Sequence, residues 1–131
     1  MPTDEQHFSL LLKTIRSLLG PAGCPWDQKQ STLSLKKYFV EEFSEIIAAI
    51  DNNDPENLCE ELGDMLFLLI LMAEINKKNG AFTLNDTIRN INEKMIRRHP
   101  HVFGDGEKGS EEELEKQWRA IKSQEKEKKR N

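Results

Sequence analysis

Phe8, Leu11, Leu12, Ile15, Leu18 and Leu19 recur at helical spacing behind Thr3 and Gln6, a capping-box pair, and Gly20-Pro21 stops the run. The segment GPAGCPWDQKQST then reads as an ordered loop, after which Ser31 or Thr32 caps a second helix expected to run to about Asp51. Asp54-Pro55 places a capping side chain ahead of a proline at the first helical position, so a third helix is expected up to Asn79-Gly80. Thr83 with Asp86 opens a fourth, which Pro100 must end at about Arg98. HVFGDGEKGS reads as a glycine-bearing loop, and Ser110 with Glu113 forms another capping box ahead of a last helix. That helix ends in KSQEKEKKRN, which lacks an apolar stripe, so about residues 123–131 are expected to fray in solvent. No window sustains period-two alternation. The expected fold class is all-α, a helical bundle of four to five helices in a single domain over residues 1–131.

Within the third helix, MLFLLILMA (65–73) has no polar face. It is far shorter than the roughly 20 residues that cross a bilayer, so it must be covered by protein on all sides. Three or four short neighbours are too few for that, which predicts a homodimer or higher homo-oligomer. The composition, 37% hydrophobic and 32% charged in 131 residues, suits one core. MPTDEQHF has neither the basic nor the apolar stretch of a secretory signal, so a cytoplasmic protein is expected, with Cys24 and Cys59 as free thiols. The net charge of −4 argues against a nucleic-acid binder, and no membrane partner is expected.

The distribution of charge says more than the sum. Glu41, Glu42, Glu45, Asp51, Asp54, Glu56, Glu60, Glu61 and Asp64 face only Lys36 and Lys37, whereas Arg89, Lys94, Arg97 and Arg98 face only Glu93. At about 100° per residue, Phe39, Phe43, Ile46 and Ile50 form one stripe of the second helix, with Glu42 directly beside it and Glu45 one step further round. On the third helix, Glu61 is flanked by Leu58, Met65, Leu68 and Met72, with Asp64 at i+3. Carboxylates forced beside a core need a cation, and nearby lysines are few. Hard oxygen ligands without cysteine, and without histidine at i+3 or i+4, point to Mg²⁺ or Mn²⁺ over zinc and argue against a ferritin-like di-iron site. A solvated acidic face making i,i+4 pairs is the competing reading.

Lys94 and Arg98 share a helix face, as do Trp118 and Lys122. Cations matched to phosphate oxygens beside an indole suggest a nucleotide, against the alternatives of solvated charges and of a tryptophan that anchors the last helix. His99 and His101 beside Pro100 either cap the helix end or touch phosphate. Gly20 to Cys24 lacks the Gly-Lys-Ser/Thr ending of a phosphate loop.

Glu41-Glu42-x-x-Glu45 followed by Glu61-x-x-Asp64 resembles the acidic pattern of the MazG nucleoside triphosphate pyrophosphohydrolases, of the all-α NTP pyrophosphatase superfamily. The resemblance extends to Gly23-Cys24-Pro25-Trp26-Asp27, Glu61-Leu62-Gly63-Asp64-Met65-Leu66-Phe67, Lys94-x-x-Arg97-Arg98-His99-Pro100-His101-Val102-Phe103 and Trp118-x-x-x-Lys122, over about residues 23–122. It implies a Mg²⁺-dependent enzyme, with Mn²⁺ as a possible substitute, that hydrolyses an NTP or dNTP to the monophosphate and pyrophosphate in nucleotide-pool housekeeping. By the same resemblance, Glu42, Glu45, Glu61 and Asp64 are the metal ligands, in a site between the two central helices that oligomerisation completes. Lys94, Arg98, Trp118 and Lys122 match nucleotide-binding positions, and Trp26 and Asp27 contribute to the pocket. Lys94 and Arg98 also count, with the acids, among the catalytic residues. Glu41 is an outer residue behind the ligands, a ligand of a further ion, or the group that orients water. Many relatives carry two copies of the unit where this chain has one, and relatives are usually dimers or higher assemblies. The rival expectations are a pyrophosphatase specific for dUTP or dCTP, and a non-catalytic helical module that binds metal or dimerises.

Overall fold

The computed structural model describes residues 1–130, and every described element is helical: α1 (Asp4–Leu19), α2 (Pro25–Gln28), α3 (Thr32–Asp51), α4 (Pro55–Lys78), α5 (Leu84–Arg98), α6 (Pro100–Phe103) and α7 (Glu111–Arg130). The expected all-α class is what the chain adopts. Two compact units divide it, one from Met1 to Leu84 and the other from Asn85 onward.

In the first unit the caps act as the sequence predicts. Thr3 and Gln6 complete a reciprocal capping box on α1, Ser31 rather than Thr32 caps α3, and the Asp54 carboxylate accepts from the Asn57 N–H at 3.1 Å. The turn between α3 and α4 passes through Asn53 at φ 51°, a conformation asparagine tolerates better than most residues. The segment expected to be a loop contains the turn α2. Pro25 supplies its first helical position, and Gln28 N–H donates to the Cys24 carbonyl at 2.9 Å. Gly23 is required in that approach, because a Cβ there would lie 2.1 Å from the Leu18 carbonyl oxygen.

α3 and α1 pack on α4 around Ile15, Leu35, Leu68, Ile70, Leu71, Ala73, Ile75 and Leu84. The second half of α4 is buried on several sides, and Glu74 within it pairs with Arg16. The flank away from this core is different. Leu62, Leu66 and Leu69 lie open on one flank of α4, and Val40, Phe43, Ile47 and Ile50 lie open along α3. The expected stripe of Phe39, Phe43, Ile46 and Ile50 is therefore split: Phe39 and Ile46 are half-buried, while Phe43 and Ile50 are exposed. The residues that α3 buries fully are Leu35, Glu42 and Ala49. Successive sevens drift by only about 20° on a helix, so these three share one line.

In the second unit, α6 occupies part of the expected HVFGDGEKGS loop, again with proline at its first position. Glu113 N–H donates to the Ser110 hydroxyl at the start of α7, which is one half of the expected capping box. The tail expected to fray is helical as far as Arg130, and Asn131 lies outside the described residues. Glu125 gives the physical reason: it is tied to both Arg97 and Arg98 at the end of α5.

Candidate active site

Leu35-Glu42-Ala49 on α3 has a counterpart on α4, where Glu61, Leu68 and Ile75 are all buried at the same spacing of seven. Each helix of the pair thus carries a glutamate inside its buried line, rather than beside it. Glu45 and Asp64 follow at i+3 and remain exposed. One carboxylate oxygen from each of Glu42, Glu45, Glu61 and Asp64 lies within 4.8 Å of the others. The cluster is backed by the two buried glutamates and opens to solvent on the side of the other two.

Glu42 and Glu61 are only 8% and 9% exposed, which removes the solvated-face reading for these two. Glu42 Oε1 and Glu61 Oε2 are buried without a hydrogen-bond partner. Burial is the main reason the Glu42 carboxyl is pushed above the ordinary carboxylate range, with the charges of Glu45 and Asp64 adding to it. Glu45 is raised chiefly by its contact with Glu61, and Glu61 by its contact with Glu42. Clustered anions with orphaned, buried oxygens fit a divalent cation, and an all-carboxylate donor set suits a hard one. Glu41 is exposed and stands outside the group of four.

Trp26 and Asp27 come from α2 in the same unit. Asp27 is buried, and the partly exposed Trp26 meets Tyr38 edge-on with ring centroids 5.5 Å apart. Tyr38 sits one helical turn before Glu42 on α3.

The second unit assembles the cationic residues around an indole. Arg98 Cζ is 5.0 Å from the centre of the Trp118 ring, and Lys122 Nζ is 5.1 Å from it. Lys94 is half-buried, one turn before Arg98. Trp118 itself is half-buried, with the Arg98 and Lys122 cations against its ring. His99 takes the capping role, its Nδ1–H donating to the Met95 carbonyl at 2.6 Å, and the His101 ring lies 5.6 Å away.

Glu125 and Tyr38 are not among the site residues expected from the sequence. Glu125 accepts from Arg97 Nε at 2.6 Å on one oxygen, and from Arg98 Nη2 at 2.8 Å on the other. Arg98 first and Arg97 second hold its carboxyl down to about 2. The available signal was its register, since Trp118, Lys122 and Glu125 follow at i, i+4 and i+7 on one face of α7.

With this geometry in hand, residues 30–103 match the MazG nucleotide pyrophosphohydrolase domain. That span holds all four clustered carboxylates, Lys94 and Arg98; Trp26, Asp27, Trp118 and Lys122 lie outside it. The chain is 48% identical over 120 residues to the Bacillus subtilis protein named uncharacterized protein YabN, covering 92% of this chain and 24% of that protein. It is 48% identical over 124 residues to the nucleoside triphosphate pyrophosphohydrolase/pyrophosphatase MazG of Thermotoga maritima, covering 95% and 47%. It is 38% identical over 116 residues to the nucleoside triphosphate pyrophosphohydrolase of Escherichia coli, covering 88% and 44%. The chain thus spans less than half the length of each of these relatives. The crystal structure of a mazG-related protein from Thermotoga maritima superposes with a TM-score of 0.74 at 37% identity, covering 88% of this chain and 98% of that one. The helices α3 and α4 that carry the four carboxylates lie within the matched span, and the chain is a member of the MazG nucleotide pyrophosphohydrolase domain family.

Proposed function

We propose that the chain is a Mg²⁺-dependent nucleoside triphosphate pyrophosphohydrolase, which cleaves NTPs or dNTPs between the α and β phosphates to release a monophosphate and pyrophosphate. The observation that carries this reading is the four-carboxylate cluster, with buried and unpartnered oxygens on Glu42 and Glu61, in a chain of this family. The names of the Thermotoga maritima and Escherichia coli relatives support the reaction class. Glu42, Glu45, Glu61 and Asp64 would hold the ion, with Mn²⁺ as a workable substitute. A divalent ion held there supplies Lewis-acid chemistry toward phosphate oxygens and water.

The remaining roles fall to the chain's own groups. Lys94, Arg98 and Lys122 offset the charge of the triphosphate and of the pyrophosphate that departs. Trp118 presents an aromatic surface to the base, and Trp26 with Asp27 contributes to the nucleotide pocket. Removal of spent or non-standard nucleotides from the pool is the cellular role such chemistry serves. A second copy of the chain would cover the open apolar flanks of α3 and α4, because the hairpin offers a matching apolar surface to itself in a two-fold pair.

Substitution tests the ligand set. Glu61→Gln and Asp64→Asn should each lower Mg²⁺-dependent hydrolysis more than ~100-fold while leaving far-UV circular dichroism unchanged. Full activity in either variant would refute the assignment.

A further inference from the structure

Two arginines share one carboxylate in the second unit. Glu125 Oε1 takes Arg97 Nε, and Oε2 takes both Nε (3.3 Å) and Nη2 (2.8 Å) of Arg98. The two arginine contacts differ in setting: the Arg97 side chain is 50% exposed, whereas that of Arg98 is 11% exposed and that of Glu125 17%. Arg98 also lies over Trp118. A long side chain is thus held at two points, by the carboxylate along one edge of its guanidinium and by the indole beneath it. A guanidinium has five N–H donors, and this contact uses only the Nε and Nη2 edge, leaving Nη1 for another anion. Because Arg97 shares the same carboxylate, the trio keeps a net positive charge.

We infer that Glu125 is a positioning residue, which fixes the Arg98 guanidinium against Trp118 and turns its remaining donors toward a nucleotide phosphate. The inference rests on the nucleotide-binding role proposed above for Arg98. Its physical basis is preorganisation: a free arginine loses rotamer freedom when it binds an anion, and one already clamped loses less. Lys122 belongs to the same arrangement, one turn from Trp118 on the same face of α7.

The test is calorimetric binding of α,β-methylene ATP with Mg²⁺, together with steady-state KM and kcat, on the full chain and on Glu125→Ala, Glu125→Gln, Glu125→Asp, Arg97→Ala and Arg98→Ala. Glu125→Ala should weaken analogue binding about tenfold and raise KM in parallel, Glu125→Gln should fall between, and Glu125→Asp should recover part of the loss. Arg97→Ala, which leaves the Arg98 contact in place, should stay within about twofold of the parent. Should Glu125→Ala lose helicity, Glu125→Gln, which keeps an acceptor oxygen and the side-chain shape, carries the comparison. Unchanged binding in the folded Glu125 variants, with weakened binding in Arg98→Ala, would overturn the positioning role and leave the nucleotide reading intact. Tighter binding in Glu125→Ala would overturn it as well, by showing that the carboxylate competes with phosphate. Equal effects of Glu125→Ala and Arg97→Ala on binding would reduce the trio to a helix staple. If the parent chain binds no analogue, or Arg98→Ala binds as well as the parent, the role of Arg98 fails and this inference falls with it.

Discussion

Glu42 and Glu61 each bury an oxygen that finds no hydrogen-bond donor, among carboxylates that raise one another's proton affinity. For a carboxyl whose folded pKa lies above its unfolded value, the folded state binds the proton more tightly. Its contribution to stability is therefore favourable at low pH, and it declines as pH rises from the ordinary carboxylate range through the raised folded value. Without metal, then, Glu42→Gln should melt higher than the parent at pH 7, by about 4 °C, the shift that roughly 1 kcal/mol produces in a small domain. At pH 4, where the parent glutamate is largely protonated, the difference should shrink. Differential scanning calorimetry at both pH values with chelator present checks the sign. An equal Tm at pH 7 would mean that Glu42 is not strained. Added Mg²⁺ should raise the Tm of the parent more than that of Glu42→Gln, since a ligand that binds only the native state stabilises it.

At the scale of elements, most helix limits were legible because local chemistry determines them. Thr3, Ser31, Asp54 and Ser110 cap where their side chains reach the next turn, and Pro100 closes α5 at Arg98. The i,i+3 carboxylate pairs were legible for the same reason, since both members of each pair lie on one helix. What could not be read was rotation about the helix axis. Phe43 and Ile50 are as apolar as any core residue, so periodicity alone placed them inward, yet packing against α4 selects the line of Leu35, Glu42 and Ala49 and leaves Phe43 60% exposed. The short turns α2 and α6 were missed because a single helical turn after proline has no periodicity to detect. The extent of α7 was missed because ion pairs at Glu125 tie its later part to α5, a contact invisible to a search for apolar stripes.

Across the whole molecule, the open apolar residues of α3 and α4 lie on the same hairpin that carries the four carboxylates. Among the described residues, no helix is long and apolar enough to cross a membrane, so this surface has no bilayer-spanning helix to explain it. Cover by a second copy predicts that Phe43→Glu combined with Leu69→Glu shifts the chain toward monomer in light scattering coupled to size exclusion, with more than ~10-fold loss of activity if the pair completes the site. A parent that is already monomeric at micromolar concentration would contradict the self-association.

The carboxylate cluster is proposed to serve pyrophosphohydrolysis of nucleotides. The most direct test is ³¹P NMR of the products formed from a panel of NTPs and dNTPs, including oxidised and deaminated bases, with Mg²⁺ or with chelator. Monophosphate and pyrophosphate should appear in equal amounts, only when the divalent ion is present. Release of inorganic phosphate with a nucleoside diphosphate, or no turnover across the panel by a folded chain that binds Mg²⁺, would contradict the proposal.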